Sequence, residues 1–312
     1  MRVLAASLFT LLLAACSTPQ PAPVEPVPAT PVAPLPEPPR PREPVIAVAL
    51  GGGGAKGFAH IGVLKVLESH GIKPRIVTGT SAGSFVGSMY ASGKSPFDLQ
   101  DVALSLQESD IRDLTLSSQG FIEGRRLQDY VNRQVGNRNI QQFPIRFAAV
   151  ATDMDTGRKA AFITGNAGQA VRASCSIPNV FLPAVISGKR YVDGGLVSPV
   201  PVSTARDLGA DIVIAVDISA RPKSGAAPGM LSILDQTISI MALGALEKEL
   251  AAADVVISPS VLGTGIAELE ARHKSILEGE RAAQGKLAAI QQAIARFKAS
   301  PAALLPPPPP RF

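Results

Sequence analysis

The feature that most constrains the fold is an apolar run near residue 50 that is followed at once by glycines. Residues 45–50 are continuously apolar, as is typical of a strand buried on both faces of a sheet. The glycine-rich residues 51–57 come next, and a helical pattern then runs over 58–70 and stops at Gly71. A second short strand pattern, at 76–78, leads through another glycine-flanked turn into another helix. Because crossovers between parallel strands are right-handed, we expect both turns at the carboxyl-terminal edge of one parallel sheet.

Further patterns extend this α/β prediction over a domain at residues 45–305. We predict strands at 145–152, 160–164 and 212–216, a hairpin turn at 155–157, and helices at 231–252 and 266–297. The last helix carries an apolar stripe of Leu269, Ile276, Ala283, Leu287, Ile290, Ile294 and Phe297. We expect this stripe to pack on the domain, and a membrane-facing or partner-facing stripe is the alternative.

Residues 1–15 have the features of an export signal. A charged start is followed by an apolar run over residues 3–15, which is too short to span a bilayer. The run ends in Leu-Ala-Ala before Cys16, which resembles the bacterial lipoprotein cleavage box, so Cys16 is expected to carry lipid. An uncleaved start or an incidental cysteine is the alternative. The serine after Cys16 favours, by the same resemblance, the outer membrane over the inner one.

Proline dominates the segment that joins this signal to the domain, residues 16–44. There are 12 prolines in the 28 residues from Ser17 to Pro44, a composition that favours extended polyproline II over helix or sheet. At about 3.1 Å per residue the segment reaches roughly 80 Å, so we expect a spacer between a membrane and the domain. A docking site for a proline-binding partner is the alternative. A second proline-rich stretch, residues 306–312, ends the chain.

Composition excludes several classes of function. The formal charge of +5 is modest and the chain contains no Trp and three Tyr, so nucleic-acid binding has little support. The two cysteines, Cys16 and Cys175, imply no disulfide framework if the first is lipidated. Three scattered histidines supply no cluster with metal-ligand spacing, and we predict no metal and no cofactor.

The second turn carries a candidate nucleophile. Gly79-Thr-Ser81-Ala-Gly83 stands between a strand and a helix, which is the context that gives a Gly-x-Ser-x-Gly pattern its meaning. A nucleophilic serine must project from a sharp turn, and the flanking glycines permit that turn. The following helix directs its N-terminal amides at developing negative charge. In this context Ser81 is the candidate nucleophile.

The glycine-rich first turn admits three interpretations. A dinucleotide site fits the Gly-x-Gly-x-x-Gly spacing from Gly52 to Gly57, but it needs a carboxylate after the second strand and none stands there. A phosphate-binding P-loop fails because Lys56 precedes Gly57 and no Gly-Lys-Ser/Thr follows. The third interpretation is an oxyanion hole of unblocked glycine amides, and the position one strand away from Ser81 fits it best.

A serine nucleophile also needs a base. His60 and His70 precede Ser81, and His273 lies in a charged helical segment, so each histidine fits a structural role better than a catalytic one. A carboxylate acting directly remains, and Asp193 at the end of a short strand pattern is the candidate. An aspartate near its usual pKa of ~3.9 is a poor base at neutral pH, so burial beside Ser81 would have to raise that pKa.

Together these blocks resemble the patatin-like phospholipases. The resemblance covers about residues 45–217 and rests on four blocks in the family's order: 52–57, Gly79–Gly83 with Ser81 between, Arg172-Ala-Ser ahead of Pro178, and Asp193-Gly194-Gly195. It implies a three-layer α/β/α sandwich with a mostly parallel central sheet. By this resemblance Ser81 is the nucleophile, Asp193 is the general base, and the amides of Gly52, Gly53 and Gly54 form the oxyanion hole. Lys56, Gly57, Gly79, Gly83, Gly194 and Gly195 support the motifs, and the Arg172 block is scaffold around the site.

The resemblance implies hydrolysis of acyl esters in lipids by a Ser-Asp dyad. With the export signal, it leads us to expect an exported hydrolase that is anchored through Cys16 to a bacterial membrane, with lipid and the membrane surface as its partners. No protein partner is indicated. A non-catalytic lipoprotein on the same fold and an acyltransferase remain the alternatives.

Overall fold

The apolar runs of the sequence form the central strands of a mixed sheet. The computed structural model describes residues 41–117, 120–222, 229–261 and 271–311. The strands are β1 (Ile46–Leu50), β2 (Ile76–Thr80), β3 (Leu114–Ser117), β4 (Gly120–Ile122), β5 (Arg146–Asp153), β6 (Lys159–Phe162), β7 (Ala184–Ile186), β8 (Lys189–Asp193), β9 (Ile212–Val216) and β10 (Val255–Ile257). Eight of them form one sheet in the order β10-β9-β1-β2-β5-β8-β7 with β6 also paired to β5, while β3 and β4 form a separate hairpin.

Helices cover this sheet between the strands. They are α1 (Ala59–Ser69), α2 (Ala82–Ala91), α3 (Pro96–Ser105), α4 (Glu108–Ile111), α5 (Arg125–Gln134), α6 (Ala167–Ser174), α7 (Val202–Asp207), α8 (Met230–Ala251), α9 (Arg272–Gln284) and α10 (Leu287–Lys298). Short 3-10 helices occur at Gly54–Phe58, Ile140–Gln142, Gly194–Leu196 and Pro301–Leu304. The predicted strands at 45–50, 145–152 and 212–216 and the predicted helix at 231–252 are confirmed to within one residue at either end.

The two largest apolar clusters of the core lie on opposite faces of the sheet. In β1 the side chains alternate, so that Ile46, Val48 and Leu50 join a large apolar cluster with α1, α2, α9 and α10. Ala47 and Ala49 point the other way and pack with residues of α7 and α8. This arrangement gives three layers, helices on both faces of the sheet. The predicted α/β/α sandwich with a mostly parallel sheet is confirmed, with β1, β2, β5, β9 and β10 mutually parallel.

The prediction of one long helix over 266–297 is wrong, because the described part of this segment, from residue 271 on, forms two helices. α9 ends at Gln284 and α10 begins at Leu287, with Gly285 at the junction. Glycine has a low helix propensity because it loses more backbone entropy than other residues when it is fixed in a helix. The apolar stripe does pack on the domain: Ile276, Ala283, Leu287 and Ile290 are buried, and Ile294 and Phe297 pack partly buried against the core. Leu269 lies outside the described residues.

The two ends of the described chain meet at the amino-terminal edge of the parallel strands. Arg42 forms an ion pair with Asp211 at 2.6 Å, just before β9, and its guanidinium also donates to the carbonyl of Leu305. In the C-terminal stretch the N–H of Arg311 donates to the Asp207 carbonyl. The predicted signal at 1–15 and most of the proline-rich segment, up to residue 40, lie outside the described residues. Across the part of the chain that the structure describes, no helix has the length and apolarity to cross a membrane.

Candidate active site

Ser81 stands on a strained turn between β2 and α2. Its backbone has φ 52° and ψ −122°, a conformation that is costly for a residue with a side chain and that is commonly found at functional sites. The turn is possible because its glycines lie against backbone. A Cβ on Gly79 would come within 2.4 Å of the Gly83 carbonyl oxygen, and one on Gly83 within 2.0 Å of the Leu50 carbonyl oxygen. Both glycines of the motif are therefore required by close packing.

Strand β5 brings Asp193 to Ser81. The last residue of β2, Thr80, pairs with Val150 of β5 in parallel register. The next residue of β5, Ala151, pairs with Asp193 at the end of the antiparallel strand β8. Since β6 occupies the other edge of β5, the ends of β2 and β8 meet along one edge. Two residues far apart in sequence are thus placed next to each other by strand register.

The backbone and one side-chain oxygen of Asp193 are fixed by hydrogen bonds. Its N–H donates to the Ser176 carbonyl and its carbonyl accepts from the Thr152 hydroxyl, both at 2.8 Å. Its Oδ1 accepts from the N–H of Gly195 at 2.7 Å. A Cβ on Gly194 would come within 2.2 Å of the Val150 carbonyl oxygen, so only glycine lets this loop lie against β5. The carboxylate is therefore held in one orientation.

The other carboxylate oxygen, Oδ2, is buried and accepts no well-formed hydrogen bond from the described residues. Burial raises the pKa of Asp193 from 3.8 to about 6, and the Ser81 hydroxyl and the Gly195 N–H oppose this rise. The Ser81 hydroxyl is therefore close enough to act on the carboxyl, although the contact is not an aligned hydrogen bond. Contacts between a nucleophile and its base often tighten only when substrate is bound.

The glycine-rich loop after β1 lies against Ser81. A Cβ on Gly52 would be 3.3 Å from the Ser81 Cβ. The amide of Gly51 donates to the Val216 carbonyl and that of Gly52 to the Pro199 carbonyl, each at 3.0 Å. Within the described part of the chain the amides of Gly53 and Gly54 have no acceptor. The amides of Gly53 and Gly54 are therefore the candidate oxyanion donors. The amide of Gly52, which the sequence also predicted as a donor, is already bonded to the Pro199 carbonyl.

The remaining residues of this first block lie beside the site. Lys56 is buried and contributes to the wall of a cavity that also contains Ser81. A Cβ on Gly57 would be 2.7 Å from the Cβ of Ala82, the residue after the candidate nucleophile. Glycine at 57 therefore allows the short helix after β1 to pack directly on the start of α2.

Ser174 is a site residue whose role the sequence did not reveal. Its hydroxyl accepts the Ser81 N–H at 2.9 Å and donates to the Val150 carbonyl at 2.6 Å. It thereby ties the strained turn to β5. The only signal was its place in the Arg172-Ala-Ser block, where it was assigned to scaffold. Half-burial lowers the pKa of Arg172, and its Nε has no acceptor among the described residues.

Cys175, next in sequence, is a buried free thiol. Its Sγ lies 3.8 Å from the Ser84 hydroxyl, and burial raises its pKa, with the nearby Asp193 carboxylate acting in the same direction. A thiol is nucleophilic only when it is ionised. Cys175 is therefore a neutral packing residue beside the site.

Among the described residues no histidine is hydrogen-bonded to Ser81 or Asp193. His60 is fully buried, its Nε2 lies 2.8 Å from the Gly51 carbonyl oxygen, and burial lowers its pKa to about 4. A neutral His60 therefore donates to the backbone of the glycine-rich loop and supports it. His70 and His273 are exposed on α1's end and on α9. In the described residues no group of three or more His, Cys, Asp or Glu side chains is placed to hold a metal.

A cavity of about 540 Å³ opens from Ser81 and Asp193. Its walls are mainly apolar and come from the loops around Ser81, from the β3–β4 hairpin and from α8. The larger apolar residues in the lining are Phe58, Phe85, Leu106, Ile111, Leu114, Phe121, Ile122, Leu127, Ile177, Val180, Phe181, Leu196, Ile238 and Leu246. The site therefore joins a hydroxyl, a buried carboxylate and unpaired amides to a space suited to hydrocarbon.

Comparison with known proteins identifies the family to which the chain belongs. The model of the family described as patatin-like phospholipase matches residues 48–206. An uncharacterized NTE family protein of Mycobacterium bovis is 36% identical over 179 residues, which are 56% of this chain and 49% of that protein. Lysophospholipase NTE1 of Coccidioides immitis is 34% identical over 181 residues, 56% of this chain and 12% of that protein.

The chain thus spans about half the length, or less, of these curated relatives. Among solved structures, VipD from Legionella pneumophila has a TM-score of 0.54 at 14% identity, covering 82% of this chain and 67% of VipD. That likeness supports the fold alone. Since the family model spans residues 48–206 and includes the glycine-rich loop, Ser81 and Asp193, the chain belongs to the patatin-like phospholipase family.

Proposed function

We propose that this protein is a lipid acyl hydrolase in which Ser81 is the nucleophile and Asp193 is its general base. The observation that carries the proposal is the buried Oδ2 of Asp193, which has no partner among the described residues and lies beside a hydroxyl on a strained turn. With its pKa raised to about 6 by burial, Asp193 is ionised at neutral pH and still accepts a proton more readily than an ordinary aspartate.

The reaction begins when the Ser81 Oγ bonds to the acyl carbon while its proton passes to Oδ2 of Asp193. The carbonyl oxygen becomes an oxyanion, and the amides of Gly53 and Gly54 donate to it. The bond from the acyl carbon to the alcohol oxygen then breaks, and the proton moves from Asp193 to that oxygen. An acyl-enzyme on Ser81 remains.

Water then repeats the sequence with the roles exchanged. It gives a proton to Asp193 as its oxygen bonds to the acyl carbon, and the proton passes on to the Ser81 Oγ when the fatty acid leaves. Asp193 ends each half-reaction ionised. No metal or organic cofactor is required for any of these steps.

The proposed substrate is a lipid ester whose acyl chain occupies the apolar cavity. The lining around Ser81 is hydrocarbon and aromatic, with Lys56 and Arg112 as its cations. The name of the fungal relative, lysophospholipase, adds support for lysophospholipids as substrates. Apolar burial of a long chain supplies binding energy in proportion to its area, so long-chain esters are the expected substrates.

We further propose that the protein is exported and anchored through lipid on Cys16, with residues 16–44 as a spacer. Support comes from the cleavage-box sequence and from the proline content of the segment. Incorporation of radiolabelled palmitate into wild-type protein, and its absence from a Cys16→Ser variant, is the expected result in a bacterial host. Equal labelling of both proteins, or of neither, would refute the anchor.

The test of the proposed function is lipid product analysis. Purified wild-type protein, Ser81→Ala and Asp193→Asn are incubated with phospholipid, lysophospholipid and neutral ester, and the free fatty acid is quantified. Wild-type protein should release fatty acid from at least one class, and both variants should release far less. Fatty acid release by Ser81→Ala at the wild-type rate would reject the proposal.

A further inference from the structure

Helix α8 carries exposed apolar side chains on the side that faces away from the cavity as well as apolar side chains that line it. Helix α8 directs Ile238, Ala242 and Leu246 into the cavity. On its other side, Ile240 is 57% exposed and Met241 is 69% exposed. A helix on the surface of a globular protein normally presents a polar face to water, and a helix that is apolar all round normally contacts other apolar material.

The same helix is poor in charge where it covers the cavity. From Met230 to Leu246 the sequence has one charged residue, Asp235. Ile233, about two turns before Ile240 and Met241, is 63% exposed. The helix is not long and apolar enough to span a bilayer, so its outer face is suited to lying at a surface instead.

The β3–β4 hairpin, which also lines the cavity, has the same property. Leu114 is 85% exposed and Phe121 is 53% exposed, and both contribute to the lining. The sequence 114–122 contains no charged residue. We call Leu114, Phe121, Ile233, Ile240 and Met241 the docking surface. Its five side chains lie on two elements that each border the space leading to Ser81.

We propose that this docking surface inserts into the interface of a lipid bilayer, so that an acyl chain passes from the bilayer into the cavity. The proposal rests on the proposed function, because a hydrolase of lipid esters must take its substrate from a lipid aggregate. The occupant is a bilayer because the exposed apolar side chains of both elements adjoin the mainly apolar cavity lining, in which Lys56 and Arg112 are the cations. An acyl chain that moves from the bilayer along these side chains into the cavity stays in contact with apolar groups.

Attraction between charges contributes little to this docking. Three arginines that flank the two elements are in ion pairs: Arg112 with Glu108 at 2.7 Å, Arg221 with Asp217 at 2.6 Å, and Arg125 with Glu123. A fourth, Arg126, donates to the Ser109 carbonyl. Binding to zwitterionic vesicles is therefore expected and should persist at high salt, since surface charge interactions are the part that salt screens.

The absence of tryptophan from the chain allows a direct test. Single tryptophans are introduced into the full-length protein as Leu114→Trp, Met241→Trp and Leu305→Trp. Leu305 is 61% exposed but lies beside Arg42 at the opposite edge of the sheet, and is the matched control. Phosphatidylcholine vesicles with nitroxide-labelled acyl chains are then added, and emission is recorded.

Docking predicts a blue shift and nitroxide quenching at positions 114 and 241 and neither change at 305. Equal quenching at all three positions would indicate attachment through the lipid anchor alone and would overturn the proposal. A blue shift without quenching that grows with protein concentration would indicate a second copy on this surface, and would also overturn it. No change at any position has the same consequence.

A kinetic arm separates this proposal from the proposed function. Ile240→Asp and Met241→Asp, which do not line the cavity, should each lose about tenfold in hydrolysis of vesicle lipid at low lipid concentration, with Leu305→Asp unchanged. Hydrolysis of a soluble short-chain ester should be equal in all of them. Loss of hydrolysis of both substrates, with unchanged thermal unfolding, would contradict docking.

Inactivity of the wild-type protein on every ester would reject the proposed function, and tryptophan quenching would still decide docking.

Discussion

The two sides of the cavity are built by different physical means. On one side, which we call the floor, Ser81, Asp193 and Ser174 are fixed by short hydrogen bonds and strand register, and glycines pack against backbone. On the other side, the wall, the β3–β4 hairpin and α8 offer apolar side chains to the cavity and to solvent. In the proposed reaction the floor supplies the reacting groups, and in the proposed docking the wall admits the ester from the bilayer.

Of the substitutions in the floor, replacement of Ser81 should reduce hydrolysis the most. Ser81→Ala removes the oxygen that forms the acyl-enzyme in the proposed reaction, so kcat on a soluble ester should fall by about 10⁴-fold or more. Ser88→Ala is the control, because Ser88 lies on the same helix and its hydroxyl donates only to the Phe85 carbonyl. Comparable loss in Ser88→Ala would mean that the helix, and not the nucleophile, was disturbed.

Asp193→Asn should reduce kcat on the same ester by about 10²- to 10⁴-fold, since loss of a general base costs that much.

The Asp193→Asn substitution should also stabilise the folded protein. A folded pKa of about 6 lies above the unfolded value of 3.8, so the ionised carboxylate costs the folded state up to about 3 kcal/mol above pH 6, a cost that disappears below pH 4. Chemical denaturation at pH 8 and pH 4 measures this. A variant that is less stable than wild-type protein at pH 8 would contradict the buried, weakly paired carboxylate.

Acid should abolish hydrolysis at the floor at a pH where the protein is still folded. Because Asp193 must be ionised to accept a proton, kcat/KM should be constant above its pKa and fall about tenfold for each pH unit below about 6. The measurement is the pH profile of soluble-ester hydrolysis, with thermal unfolding followed in parallel to show that the fold persists. A profile that stays flat down to pH 4 would remove Asp193 from the role of base.

Ser174→Ala should have a smaller effect than either member of the proposed dyad. It removes the acceptor of the Ser81 N–H and the donor to the Val150 carbonyl, and one such hydrogen bond is worth about 1–1.5 kcal/mol, or about tenfold in kcat. Because the turn itself is loosened, kcat should fall with little change in KM. Ser174→Thr, which keeps the hydroxyl, should recover part of the rate, and failure of any recovery would mean that packing rather than the hydrogen bond is responsible.

The smallest effect is expected from histidine substitution outside the core. His70→Ala and His273→Ala, both exposed, should leave soluble-ester hydrolysis unchanged, and His60→Gln, which keeps a donor for the Gly51 carbonyl, should retain most of it. Steady-state kinetics of the three variants is the measurement. Loss of activity in His273→Ala alone would overturn the account of a dyad without histidine.

Much of the floor could be predicted from sequence because its determinants are local. A buried strand, a glycine-flanked serine and a following helix place Ser81 at a sheet edge, and parallel crossover brings the glycine-rich loop to the same edge. Which amides of the glycine-rich loop are already hydrogen-bonded could not be predicted from local patterns. Whether Gly52 donates to Pro199 depends on a loop that reaches it only in the folded chain.

The wall was not predictable for a related reason. Nothing in residues 114–122 marks a hairpin beside the site, and the helix correctly predicted at 231–252 gave no indication that it covers a cavity. The division of the predicted helix 266–297 at Gly285 was also missed, because glycine inside a helical pattern is often tolerated. Local patterns fix elements, and tertiary packing decides what those elements cover.

Activation of the Ser81 hydroxyl by Asp193 can be measured by peptide-mapped mass spectrometry of the folded protein after reaction with a fluorophosphonate. We expect one covalent adduct, on Ser81, that is absent from Ser81→Ala and forms much more slowly in Asp193→Asn. An adduct on another residue of the wild-type protein, or an adduct on Ser81 that forms equally fast without the Asp193 carboxylate, would contradict it.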